Sequence, residues 1–306
     1  MSKLRMPLFL AALLAIAASL YLLLSTPDYG DTNADGLNLG KTAYQQGDFD
    51  EAAKWFRLAA KKGDKQAQFL FAMLHRDGKG LDRNDEQAVR WLKLAAKQNH
   101  AEAQYQLGTM LEHGRGVDTA SAFSALGWYR KAAKAGHAGA QLRMAVMLAE
   151  GRGSQRNESD ALDWAVKARI SKHPDAGAYL QQLLNRITAK ASSGDPAAQF
   201  ILARMYQRGH GLNSDMQQAE QWLRQSASSG KAEAQFHLAE LLSQKPQQLH
   251  EAADWYLKAA RQGNLPAAAK IGTLYATGQG IKQNNSEAIA WLGKAAESDL
   301  SLAQCN

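Results

Sequence analysis

Two hydrophobic patterns divide this chain. From Pro7 to Leu24 runs an 18-residue stretch without a charge, preceded by Lys3 and Arg5 and followed by Asp28, Asp31 and Asp35. Further on, apolar residues recur at helical spacing in a register marked by all seven tryptophans: Trp55, Trp91, Trp128, Trp164, Trp222, Trp255 and Trp291. Their separations are 36, 37, 36, 58, 33 and 36 residues. Three residues before each stands an alanine (Ala52, Ala88, Ala125, Ala161, Ala219, Ala252, Ala288), and twelve after each stands another (Ala67, Ala103, Ala140, Ala176, Ala234, Ala267, Ala303). Small residues at fixed offsets from a large one are what close helix packing requires. A period near 35 residues predicts helix-turn-helix units.

Within a unit, Ala103, Leu107, Gly108 and Leu111 show the spacing of a first helix. It stops at a Gly-x-Gly signal: Gly78/Gly80, Gly114/Gly116, Gly151/Gly153, Gly209/Gly211 and Gly278/Gly280. Glycine closes a helix end because it enters the left-handed conformation freely. A polar loop and a Trp-bearing second helix, such as Gln87 to Lys97, follow. Three places depart from the pattern. The first unit has the short turn Gly47-Asp48-Phe49-Asp50, and the sixth has Lys245-Pro246 where Gly-x-Gly is expected. The 58-residue interval has Arg186 at a tryptophan position and predicts a degenerate unit near 176–197, with one long helix from about Ala176 to Ser192 starting after His173-Pro174.

The arrangement resembles the Sel1-like repeat, a relative of the tetratricopeptide repeat, and Ala103 to Gly139 follows its pattern closely, including Trp128, Tyr129, Ala132, Ala133 and Gly136. The resemblance covers roughly Leu37 to Ala303. It implies an all-α protein: an α/α superhelical solenoid of about seven helix-turn-helix repeats over 38–306. With only 6 prolines and no long alternating β-branched run, composition agrees.

The apolar run is long enough for one N-terminal transmembrane helix over 7–24. The positive residues ahead of it orient residues 1–6 to the cytoplasm. The expected setting is a bacterial inner membrane, single-pass, with the repeats in the periplasm. Signal cleavage after Ala15-Ile16-Ala17 is the competing reading, which would release the chain into the periplasm. Residues 25–37 read as a flexible polar linker. Inside it Asp31, Asn33, Asp35 and Gly36 match the first half of a calcium loop, but Thr42 stands at the closing carboxylate position, so a solvated linker is the better reading.

The net charge is +7, without a block of like charges that would make a nucleic-acid arm, so no nucleic-acid partner is expected. The single cysteine, Cys305, excludes an internal disulfide framework. It also sets the chain apart from Sel1-like proteins with paired cysteines, which are associated with β-lactam chemistry. Eight histidines show no metal-site spacing, and no nucleophile elbow, P-loop or dinucleotide fingerprint occurs. No catalytic residue, metal or cofactor is therefore expected.

What the resemblance implies is a protein-interaction scaffold or adaptor for envelope proteins. By analogy with tetratricopeptide solenoids, first helices line a concave binding face. The candidate residues there are Phe69, Met73 and Arg76; Tyr105, Thr109 and Glu112; Phe200, Arg204 and Gln207; and Phe236 and Glu240. The aromatics at 69, 105, 200 and 236 have a competing reading as packing between helices. The alternative function is a periplasmic glycan-binding module, with Lys79, Arg115, Arg152 and His210 at the turns forming a basic edge toward an anionic glycan; an enzyme ranks third. All seven tryptophans are expected in the core. With no capping helix after Ala303, self-association through the C-terminal end of the stack is a further expectation.

Overall fold

The computed structural model describes residues 33–304. Among them are fifteen α-helices, a single turn of 3-10 helix and no strand. The chain divides into two compact units, Met1–Ala132 and Ala133–Asn306.

The first unit stacks helical hairpins: α1 (Asn33–Gln45) with α2 (Phe49–Lys61), α3 (Lys65–Asp77) with α4 (Asp85–Lys97), and α5 (Ala101–Glu112) with α6 (Ala122–Lys134), whose last residues pass the boundary. The second unit holds α7 (Ala138–Glu150) with α8 (Glu158–Ile170), the lone helix α9 (Ala176–Ser192), and α10 (Pro196–Arg208) with α11 (Met216–Ser228). It continues with α12 (Ala232–Leu242), the 3-10 turn Pro246–Gln248, α13 (Leu249–Arg261), α14 (Leu265–Thr277) and α15 (Asn285–Gln304).

Local chemistry sets the helix ends. Asp48, Asp64, Asn84, Asn157 and Asn264 each accept from the backbone N–H three residues on, the usual N-cap arrangement. His100 and His137 do the same through Nδ1. Gly78, Gly151, Gly209 and Gly278 close first helices in the left-handed conformation. The second glycine of the pair has another duty. A Cβ on Gly80 would lie 2.1 Å from the Phe49 carbonyl oxygen, and one on Gly116 would lie 2.2 Å from that of Asp85. Each turn is thus seated on the backbone at the start of the preceding second helix.

The thirteen register alanines whose side chains are described are all buried, from Ala52 to Ala288. The tryptophans are not core residues as expected. Six are half-buried, and Trp291 alone is buried. The large buried side chain is the one after five of the seven tryptophans: Phe56, Leu92, Tyr129, Leu223 and Tyr256. It faces the small residue of the first helix, and a Cβ on Gly108 would meet the Tyr129 ring at 2.8 Å. The indole lies at the edge of the core, where lysines three residues on cover Trp128, Trp164, Trp255 and Trp291 at 4.0 to 4.3 Å from the ring centre.

Helix α1 starts at Asn33, inside the segment expected as linker, with Asp35 in its first turn, where the helix dipole favours an acid. Asn33, Asp35, Gly36 and Thr42 therefore lie in a helix and not in a calcium loop. At the other end α15 runs unbroken through Gln304, so no new unit opens at Ala303. None of the described helices is long and apolar enough to cross a membrane. The apolar run 7–24 lies outside the described residues.

Candidate functional site

In the first unit, the candidate residues of the first helices are all half-buried. Phe69 stacks on His100 at 4.9 Å, tying α3 to the start of α5. His100 also meets Gln66 Oε1 through Nε2 at 2.8 Å, and burial, aided by Lys65, pushes its pKa below the ordinary value. Tyr105 packs on Tyr129 at 5.8 Å. The Tyr129 hydroxyl donates to Glu112 at 2.8 Å and lies 3.1 Å from the Thr109 hydroxyl. Arg76 donates to Gln106 of the next first helix at 2.9 Å and to Asp77. A cleft of about 470 Å³ between α3 and α5 brings Arg76 and Thr109 together with Gln106 and His113. Phe69, Met73, Tyr105 and Glu112 do not line it.

In the second unit, four candidates gather around a residue not singled out from the sequence. His237 stacks on Phe200 at 5.5 Å and packs edge-on against Phe236 at 5.2 Å. Arg204 lies 3.3 Å from its Nδ1 and donates to Gln207 at 3.1 Å. Burial first, and the Arg204 charge second, push the His237 pKa down to about 4, so a neutral ring accepts from the guanidinium. Glu240 stands apart, accepting from the Tyr256 hydroxyl at 2.7 Å and pairing with Lys270 at 3.1 Å.

The residues at the centres of the turns are engaged. Arg115 makes a two-pronged bond to Asp85 at 2.9 and 3.1 Å, which holds that carboxyl at about 2. Lys79 lies 5.2 Å from the Phe49 ring centre, Arg152 pairs with Glu150 at 2.7 Å, and His210 is 3.4 Å from Asp163.

The Sel1 repeat pattern matches seven segments: 37–64, 65–100, 101–137, 138–169, 196–231, 232–264 and 265–300. The chain belongs to the Sel1 repeat family. Its solved relatives include c5321, a protective antigen of uropathogenic Escherichia coli with this fold (31% identity, covering 87% of this chain and 62% of that one, TM-score 0.49). A Sel1 repeat protein from Oxalobacter formigenes is 28% identical, with 85% and 96% covered and a TM-score of 0.43. An uncharacterised protein of Neisseria meningitidis serogroup B, NMB1327, is 28% identical over 148 residues, 44% of this chain and 31% of that protein. The chain thus spans less than two thirds of the antigen and of the meningococcal protein. The Sel1 family is typically a non-catalytic scaffold fold. Among the described residues, no three His, Cys, Asp or Glu side chains converge to hold a metal.

The segment left unmatched between the fourth and fifth Sel1 repeats contains the 17-residue helix α9. That helix has the bounds expected from the sequence; another feature of these repeats was not read from it. Gln68, Gln104, Gln141, Gln199 and Gln235 follow a buried register or first-helix alanine, are themselves buried, and each donates to the carbonyl eight residues earlier at 3.0 to 3.3 Å. They bond the end of one helix to the next across the turn. Their role is cohesion, not recognition.

Proposed function

We propose that this Sel1 repeat chain is a membrane-anchored scaffold of the bacterial inner membrane that holds envelope protein partners on its periplasmic side. The observation that carries the scaffold part is the half-exposed strip of aromatic, basic and amide side chains along the first helices, centred on the 470 Å³ cleft in one unit and on His237 in the other. Such a strip suits extended peptide segments, with aromatic anchors and polar groups side by side. The membrane and periplasmic parts rest on the uncharged run 7–24 behind Lys3 and Arg5. A glycan-binding edge is less well supported, because Arg115 and Arg152 are occupied by Asp85 and Glu150.

The test is a crosslinked pull-down of the full-length chain from its native membranes, beside a version lacking residues 1–30, with protein and sugar both analysed. A protein recovered in near-equal amount by the full chain, and lost from the membrane fraction with the truncated one, is the expected result. Sugar recovered without such a protein overturns the scaffold reading.

A further inference from the structure

A cleft of about 710 Å³ lies between the second helices α2 and α4, with Phe71 and His75 of the first helix α3 at its floor. None of the first-helix candidates lines it. Its floor is apolar: Phe71 and Trp91 meet edge to face at 5.3 Å, and Leu81 closes one end. His75 lies over Phe71 at 4.7 Å, and its Nδ1 is buried without a hydrogen-bond partner. One wall carries Lys54, Arg57 and Lys61, all exposed, with Asp50 at the far end of the same helix. Lys54 is held by Glu51 at 2.9 Å, but Arg57 and Lys61 have no ion pair or hydrogen bond among the described residues.

The cations continue past the cleft in register. Arg90, Lys93 and Lys97 occupy on α4 the places of Lys54, Arg57 and Lys61 on α2, and they too are exposed and unpaired among the described residues. Beside them stand Leu58 and Leu94, 47% and 44% exposed, where four of the later repeats place a lysine over the tryptophan. Unpaired cations around an apolar hollow, flanked by exposed leucines, define the complement of an acidic segment that carries a bulky apolar side chain. The volume suits one large side chain and its neighbouring backbone. A bilayer surface or a nucleic acid would use the cations but leave the aromatic floor uncovered.

We propose that the cleft between the second helices of the first two repeats binds an acidic peptide segment of a partner protein, seating one aromatic or large aliphatic side chain against Phe71 and Trp91 and its carboxylates on Arg57 and Lys61. This rests on the scaffold reading above and adds a second docking surface to it. Burial pushes the His75 pKa down, which disfavours a charge on that ring, so the cations of the site are those of α2.

The experiment is a selection of random peptides displayed on phage against the full-length chain in detergent, followed by binding of the enriched peptide to the wild type and to the double variant Arg57→Glu/Lys61→Glu. Both positions are exposed, and circular dichroism checks that the variant is folded. The expected outcome is enrichment of acidic sequences around one large apolar residue, with affinity lowered roughly tenfold or more in the double variant and falling with added salt. Enrichment of neutral or basic peptides, no enrichment, or equal affinity for both proteins overturns the proposal. Binding of phosphatidylglycerol vesicles or single-stranded DNA that the double variant loses, without any selected acidic peptide, reassigns the cations and overturns it too. The native pull-down separates the two readings. A protein partner retained by the double variant and unresponsive to the selected peptide removes this cleft but leaves the scaffold standing, whereas no partner with the wild type removes the scaffold itself.

Discussion

The second helices of the two units share one register and use their surface charges differently. In the first unit, Arg57, Lys61, Arg90, Lys93 and Lys97 project from α2 and α4 without partners among the described residues. In the second unit the same positions of α8, α11 and α13 hold two cations, of which Arg261 is exposed and unpaired among the described residues and Arg224 is bonded. Arg224 on α11 bridges Glu220 and Glu251, and Lys245 joins the same Glu220 at 2.8 Å. Where α8 meets the lone helix, Glu158 draws in Arg156, Lys190 and Arg186. Repeats are held together by buried alanines and by the large buried residue after most of the tryptophans, so their outer charges are free to vary. The first unit has a row of them unpaired on α2 and α4, whereas the second ties neighbouring helices with some, such as Arg224, and has others, such as Arg261, unpaired among the described residues.

The seat of the Gly-x-Gly turn differs most sharply beside the lone helix. A Cβ on Gly80 would lie 2.1 Å from the Phe49 carbonyl oxygen, and one on Gly280 in the second unit 2.5 Å from that of Leu249, whereas one on Gly211, which follows the lone helix, would meet only the Leu180 and Met205 side chains at 3.4 Å. Gly80→Ala must displace backbone and pay the positive-φ penalty, with an expected loss of about 3 kcal/mol or more. Gly211→Ala faces the φ penalty alone, about 1 kcal/mol. Urea unfolding of the two variants checks this, and equal losses would show that the close approach at Gly80 relaxes at little cost.

Acid should act on half-buried histidines in both units, His75 and His100 in the first and, with the large shift, His237 in the second. His237 occupies the position that Gln106 holds in the first unit, three residues after the register alanine. Its pKa is about 4 when folded against about 6.5 unfolded, so the unfolded chain takes up the proton first. The contribution is complete above pH 6.5 and is lost as pH falls toward about 4, by roughly 2 kcal/mol after allowing for partial exposure. His237→Gln keeps an acceptor for Arg204 and should flatten the loss between those limits. A variant that loses stability over that interval as steeply as the wild type would place the acid sensitivity elsewhere.

The acid at the start of the second helix gives a smaller effect. Asp85 is held at about 2, first by its bond to Arg115. Glu158 stands at the same register position; burial pushes its pKa up, and Lys190 and Arg156 outweigh that to hold it low. The turn arginine in one unit and the lone helix in the other thus supply the same counter-charge. Asp85→Asn should cost about 1–2 kcal/mol at neutral pH. Because the folded pKa is depressed, the gap from the wild type should persist above pH 4 and close as pH falls through about 2. A gap that persists at pH 2 would assign the cost to packing.

These contrasts also mark what the sequence could disclose. Fixed offsets between Trp91 and Ala88, or Trp128 and Ala140, report helix spacing directly, and the long helix at Ala176–Ser192 follows from the disturbed interval. The burial of Tyr129 in place of Trp128 was not visible, because both are aromatic and only the facing Gly108 decides which ring enters. Gln104 reads as a surface residue until the Ala96 carbonyl is found 3.0 Å away. The first-helix strip was legible as a row of positions, but not its ties to the next repeat. Phe69 meets His100 and Arg204 meets His237 across intervals of 31 and 33 residues, which a local pattern cannot register. The basic cleft depends on α2 and α4 lying side by side, so its cations, scattered in sequence, gave no block to notice.

The smallest effect tests the ends of the second helices, eight residues after each tryptophan. Gly63, Gly136, Gly230 and Gly263 all have positive φ there, while Asn99 in the first unit and Lys172 in the second hold φ of 60° with a side chain. Asn tolerates the left-handed region better than Lys, because its short amide bonds locally to the backbone. Lys172→Gly should therefore stabilise by about 1 kcal/mol and Asn99→Gly by about half as much, both read as rises in the urea midpoint. The ordering carries the argument. If Asn99→Gly gained as much as Lys172→Gly, the strain would belong to the turn itself, and the two units would be equivalent at this position.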